Sequence, residues 1–140
     1  DRAMTTLPPE ADAPLVLVAD DDPVNRTIVV SLLKKHGFRT VTAAHGDEVV
    51  PTVLEANPDV VLLDVMMPGA DGPTVLRELG PLFQARGSLV IFMTARIQPH
   101  EVTQYLAQGA AGVICKPFDP MRLPSEIQQI AASQPPEAQP

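Results

Sequence analysis

The chain predicts a doubly wound α/β sandwich, (βα)5, around a five-stranded parallel sheet in the order 2-1-3-4-5. Three observations predict it. Short unbroken apolar runs alternate strictly with longer stretches of helical period, and that alternation defines the class. Most of the runs have no polar residue on either side of the pleat, which suits strands covered on both faces. At 140 residues the chain fits one domain of ordinary size. Right-handed crossovers leave few ways to wind such a domain, and 2-1-3-4-5 is a common one.

Leu15 to Ala19 is the first strand. Asp22 caps the first helix and Pro23 supplies its first-turn proline. Val24, Ile28, Leu32 and Leu33 carry its period, and Gly37 ends it as a left-handed cap. Phe38 to Ala43 is a more polar, alternating second strand. Asp47 to Ala56 is the second helix, with Pro51 either kinking it or delaying its start. Val60 to Leu63 is the third strand, and Pro73 to Phe83 a less regular third helix. Leu89 to Met93 is the fourth strand, followed by a helix from Pro99 to Gln108 that Gly109 ends. Ala111 to Cys115 is the fifth strand. Asp119-Pro120 opens the last helix, which Pro124 defers to about Leu123.

The foldable unit is residues 14–132. Residues 1–13 read as a flexible N-terminal tail: Asp1 to Ala3 are a cloning remnant ahead of a native Met4, or the chain is cut from something longer. Residues 133–140 form a Pro-rich C-terminal tail. The chain is 45% hydrophobic, too apolar for long-range disorder. It has no apolar run near the ~18 residues of a membrane span and no signal-peptide pattern. Seventeen acidic residues against ten basic ones give a net charge of −7, which repels phosphate backbones and argues against direct nucleic-acid binding. One cysteine, Cys115, excludes an internal disulfide framework. A cytoplasmic location and no membrane contact are the expectation.

In a parallel sheet the C-terminal strand ends share one rim, where ligands bind. Asp20, Asp21 and Asp22 follow the first run, and Asp64 follows the third. Thr94 ends the fourth, and Lys116 closes the fifth. Carboxylates gathered this way repel unless a cation intervenes. All-oxygen ligands suit a hard divalent ion, and Mg2+ is preferred over zinc. Asp22 reads as a helix cap, Asp20 and Asp21 as site residues. An ionised Asp64 can attack a phosphoryl group to give an acyl phosphate. Lys116 would supply a point charge to a phosphoryl oxygen, and Thr94 a hydroxyl.

At these residues the chain resembles a response-regulator receiver domain of two-component signalling, similar to the chemotaxis receivers and flavodoxin-like in fold. The resemblance covers about residues 14–130 and is carried by VLVADDDPVNR (Val16 to Arg26), VVLLDVMMPGADG (Val60 to Gly72), VIFMTA (Val90 to Ala95) and GVICKPF (Gly112 to Phe118). It implies that Asp64 accepts a phosphoryl group from the phosphohistidine of a sensor histidine kinase or phosphotransfer protein. It implies that Asp21 ligates Mg2+ directly, Asp20 mostly through water, and Asp64 and the Met66 backbone carbonyl complete the protein ligands. Thr94 and Lys116 meet the phosphoryl group, the Lys116-Pro117 bond is cis, and Pro68 and Gly72 shape the loop after Asp64. The output is a downstream protein contact through the face of helix 4, strand 5 and helix 5. Such a domain is a regulatory phosphoacceptor rather than an enzyme, either standing alone or excised from a hybrid kinase or multidomain regulator.

Two departures stand out. Val113 occupies the position where the family usually has an aromatic rotamer switch, three residues before the lysine. Gly109-Ala110-Ala111-Gly112 lacks the acidic residues of the winged-helix class. Arg96, two residues past Thr94, is expected to tune phosphoryl lifetime. Cys115, taken as lying in a central strand, reads as a buried inert thiol. Asn25-Arg26 reads as a solvent-facing pair, and Tyr105 as either a partner contact or partial core. The competing functions are three. An aspartyl-phosphate hydrolase needs a second Asp two residues after Asp64, where Met66 stands. A flavin or nucleotide binder needs a glycine-rich loop after the first strand, which is missing. A non-phosphorylated pseudo-receiver used for docking is the remaining alternative, kept by Val113.

Overall fold

The computed structural model describes residues 13–65, 72–95, 98–116, 119 and 121–134. Five strands, β1 (Leu15–Ala19), β2 (Arg39–Ala43), β3 (Val60–Asp64), β4 (Leu89–Thr94) and β5 (Gly112–Cys115), alternate with five helices. These are α1 (Pro23–Lys35), α2 (Val49–Ala56), α3 (Gly72–Arg86), α4 (Pro99–Ala107) and α5 (Leu123–Ala132). The sheet order is β2-β1-β3-β4-β5, and every pairing is parallel. This is the predicted architecture.

The sheet separates two cores. Leu17, Ala19, Leu63, Val90 and Phe92 face residues of α2 and α3 on one side, with Tyr105 of α4 packed against them. Val16, Val18, Leu62, Ile91 and Met93 face Val29 and Leu33 of α1 and Leu123 and Ile127 of α5 on the other. Neighbours along one strand therefore alternate between cores, and β1 and β3 are buried along their whole lengths. Each fully buried Val or Leu in them contributes about 1.5–3 kcal/mol. That is why these runs carry no polar residue before the rim.

Helix ends follow local chemistry. The Asp22 carboxylate accepts from the N–H groups of Val24 and Asn25 at 3.0 and 3.5 Å, ahead of Pro23 in the first turn. Gly37 ends α1 with φ +90°. Pro51 delays α2 rather than kinking it: residues 46–48 form a 3-10 turn and the α-helix begins at Val49. Pro51 then falls in the first turn, where its missing N–H costs no helical hydrogen bond. The third helix is longer than predicted and runs through Pro81. Its amphipathic face, with Val75, Leu76 and Phe83 buried, outweighs the one hydrogen bond that Pro81 cannot donate. The last helix begins at Leu123 as expected, with Pro124 in its first turn.

Candidate functional site

The strand ends do share one rim. The backbone N–H of Asp20, just past β1, donates to Ala43 O of β2 at 3.1 Å. Asp64 is the last residue of β3 and pairs with Met93. Thr94 ends β4 beside Cys115. Lys116 follows β5, and its backbone N–H donates to Thr94 O at 2.7 Å. Asp20, Asp64 and Thr94 are buried, whereas Asp21 is exposed and Lys116 intermediate. One carboxylate oxygen from each of Asp20, Asp21 and Asp64 falls within 4.8 Å of the others.

The Lys116 Nζ lies 3.3 Å from Asp20 Oδ2 and 3.3 Å from Asp64 Oδ2. Burial pushes the pKa of this ammonium down, but the charges and hydrogen bonds of Asp20 and Asp64 together outweigh it and hold it above the ordinary lysine value. The lysine is therefore a fixed cation between two buried carboxylates. Two buried carboxylates and an exposed one, all oxygen donors, fit a hard divalent ion better than a soft one.

Asp20, Asp21, Asp64, Thr94 and Lys116 are thus brought together at one edge. Met66, Met67, Pro68, Arg96 and the Lys116-Pro117 bond lie outside the described residues. Two expectations are corrected. Asn25 and Arg26 do not simply face solvent: Asn25 Nδ2 donates to Asp20 Oδ2, and Arg26 Nη1 donates to Asp20 O at 2.7 Å. No sequence signal separates the two readings, because a first turn at the rim also presents exposed residues such as Val24. Cys115 is exposed rather than buried. The order 2-1-3-4-5 makes β5 an edge strand, and Cys115 is its last residue.

Val113 lies opposite Phe92 in the sheet and packs half-buried against the core. The aromatic contact here comes from α4: Tyr105 meets Phe92 edge-to-face, with ring centroids 4.8 Å apart at 76°. Of the two readings of Tyr105, core packing is therefore realised.

Fold and rim together define the class: a doubly wound parallel α/β domain with an acidic, lysine-bridged site at its topological switch point. The chain belongs to the response regulator receiver domain family, whose model matches residues 16–128, and so to the receivers of two-component systems. It is 32% identical to the transcriptional regulatory protein BaeR of Escherichia coli O6:H1 over 91% of this chain and 52% of BaeR. It is 31% identical to protein PilH of Pseudomonas aeruginosa over 84% of this chain and 97% of PilH. The chain spans about half the length of BaeR and of several other relatives. Among solved structures it resembles the chemotaxis response regulator CheY4 of Vibrio cholerae. The TM-score is 0.78 at 29% identity, covering 84% of this chain and 98% of that one. Among the described residues no helix is long and apolar enough to cross a membrane.

Proposed function

We propose that this receiver domain is a phosphoryl-accepting signalling switch with Asp64 as the acceptor. The observation that carries the reading is the setting of Asp64. Its carboxylate is buried at the carboxyl end of β3, paired with Lys116, and grouped with Asp20 and Asp21.

An Asp64 carboxylate oxygen attacks the phosphorus of a phosphohistidine on a sensor histidine kinase or phosphotransfer protein. The new O–P bond forms as the N–P bond breaks, and the electron pair stays on the imidazole nitrogen. The product is an acyl phosphate. Asp20, Asp21 and Asp64 would hold Mg2+, with the Met66 backbone carbonyl as a further ligand. When bound, the ion neutralises charge on the phosphoryl oxygens. Lys116 carries its charge to one of those oxygens, and Thr94 offers its hydroxyl to another. The burial of Asp20, Asp64 and Thr94 keeps bulk water from most of this array, where electrostatic contacts are strongest. The proposed readout is a change in protein contacts on the face of α4, β5 and α5, in a cytoplasmic setting and without direct nucleic-acid binding.

Intact-mass spectrometry after incubation with acetyl phosphate, with and without magnesium, tests the reading. Wild type should gain one phosphoryl group only with magnesium, and Asp64→Asn should gain none. A folded wild type that takes up no phosphoryl group from acetyl phosphate or from a histidine kinase would instead favour a docking module.

A further inference from the structure

Asp20 is fully buried, and every polar atom it carries is engaged. Its Oδ1 accepts from Asp22 N–H at 3.0 Å. Its Oδ2 accepts from Asn25 Nδ2 and faces Lys116 Nζ at 3.3 Å. Its carbonyl accepts from Arg26 Nη1, and its N–H donates to Ala43 O. A fully buried carboxylate without such donors is strongly unfavourable.

These donors are not equivalent. Lys116 is shared with Asp64, so its hold on Asp20 weakens whenever its charge is drawn elsewhere. Asn25 has no such second duty among the described contacts. It sits in the first turn of α1, which Asp22 caps, and its position follows from the helix start. Arg26, the next residue, pins the backbone of Asp20 from the same turn. The start of α1 thus grips the end of β1 at two points, carboxylate and carbonyl.

We propose that Asn25 is a positioning residue for the cation site: it fixes the Asp20 carboxylate and thereby sets the affinity of the cluster for a divalent cation. The inference rests on reading Asp20, Asp21 and Asp64 as a cation site. Partners that orient metal-ligating groups typically change metal affinity about 10- to 100-fold when removed. Asn25→Leu keeps nearly the same side-chain size and loses the donor. Asn25→Gln keeps an amide donor on a longer stem.

Magnesium affinity is measured by isothermal titration calorimetry on the whole chain, with no phosphodonor present. The melting temperature in EDTA is measured alongside it. Asn25→Leu should bind magnesium about tenfold more weakly or worse, and should still melt cooperatively at a temperature lowered only by the one donor that Asp20 loses. Asn25→Gln should recover part of the affinity. Wild-type affinity in Asn25→Leu, or Asn25→Gln no better than Asn25→Leu, overturns the inference. If Asn25→Leu does not fold, Asn25→Ser, too short to span to Asp20, takes its place under the same outcomes. A wild type that binds no magnesium sinks the cation-site reading itself, whereas a wild type that binds and an indifferent variant sink the role of Asn25 alone.

Discussion

The Lys116 ammonium and the Asp64 carboxylate stand 3.3 Å apart, although β4 lies between their strands in the sheet. The pair therefore spans the end of β4, where Thr94 sits. Three strands are coupled at their ends through one flexible side chain. On the proposed reading, a phosphoryl group added to Asp64 would enter the same span and meet Lys116. The same ammonium offsets the repulsion between Asp20 and Asp64 while no other cation is present.

Lys116→Met should lower stability at neutral pH by about 1–3 kcal/mol, because two buried carboxylates each lose a charged partner. The pH dependence follows from the raised pKa of Lys116. A lysine whose native pKa exceeds its unfolded value contributes stability that is fully present below the unfolded value. That contribution is lost as the pH rises through the native value. The melting-temperature gap between wild type and Lys116→Met should stay constant from neutral pH up to about 10 and shrink above 10.5, the ordinary lysine value. Thermal unfolding followed by circular dichroism across that range checks it. A gap that widens in alkali would contradict the assigned pairing.

Asp64→Asn should be at least as stable as wild type in EDTA, within about 1 kcal/mol. It loses an ion pair but also removes one of three crowded carboxylates, and Lys116 keeps its contact with Asp20. Magnesium should then raise the melting temperature of wild type more than that of the variant, since a ligand stabilises only the state that binds it. Paired melts in EDTA and in excess magnesium make the comparison. Equal magnesium shifts would remove Asp64 from the cation site.

Most of the fold is legible from the apolar runs, because a strand buried on both faces cannot carry a polar residue until it reaches the rim. Asp20 and Asp64 stand out for that reason, each being the first charged residue at the end of such a run, and Lys116 is the first charged residue after the shorter apolar run of the edge strand. Residues that act from a helix are harder to see. Asn25 is polar at a position where a solvent-facing residue would also be polar, and only its placement beside Asp20 distinguishes the two. Pro51 and Pro81 show the same limit. One falls in a first turn and is harmless, the other lies inside α3 and is tolerated because buried contacts outweigh a single missing hydrogen bond.

Gly112 of β5 lets Ile130 of α5 approach the sheet closely. A Cβ there would lie 2.8 Å from Ile130 Cδ1 and 2.9 Å from its Cγ2. Gly112→Val would force Ile130 off its rotamer or lift α5, and overpacking of this kind costs about 1–3 kcal/mol. Gly112→Ala should cost less, since only one carbon is added. Urea unfolding of both variants should show midpoints falling in the order wild type, Ala, Val. A Val variant as stable as wild type would mean that α5 is not seated as described.

Cys115 offers a direct check on the exposed end of β5. Its side chain is exposed at the strand end, with Sγ 3.4 Å from Lys116 O and 3.9 Å from Ala95 O. A thiol in a packed strand interior would react only after local opening. Here the native protein should take up one equivalent of a maleimide or a chromogenic disulfide reagent without denaturant. Cys115→Ser should be unreactive and within about 0.5 kcal/mol of wild-type stability, as expected for an exposed side chain that fills no core space. Labelling that requires denaturant would return Cys115 to the interior.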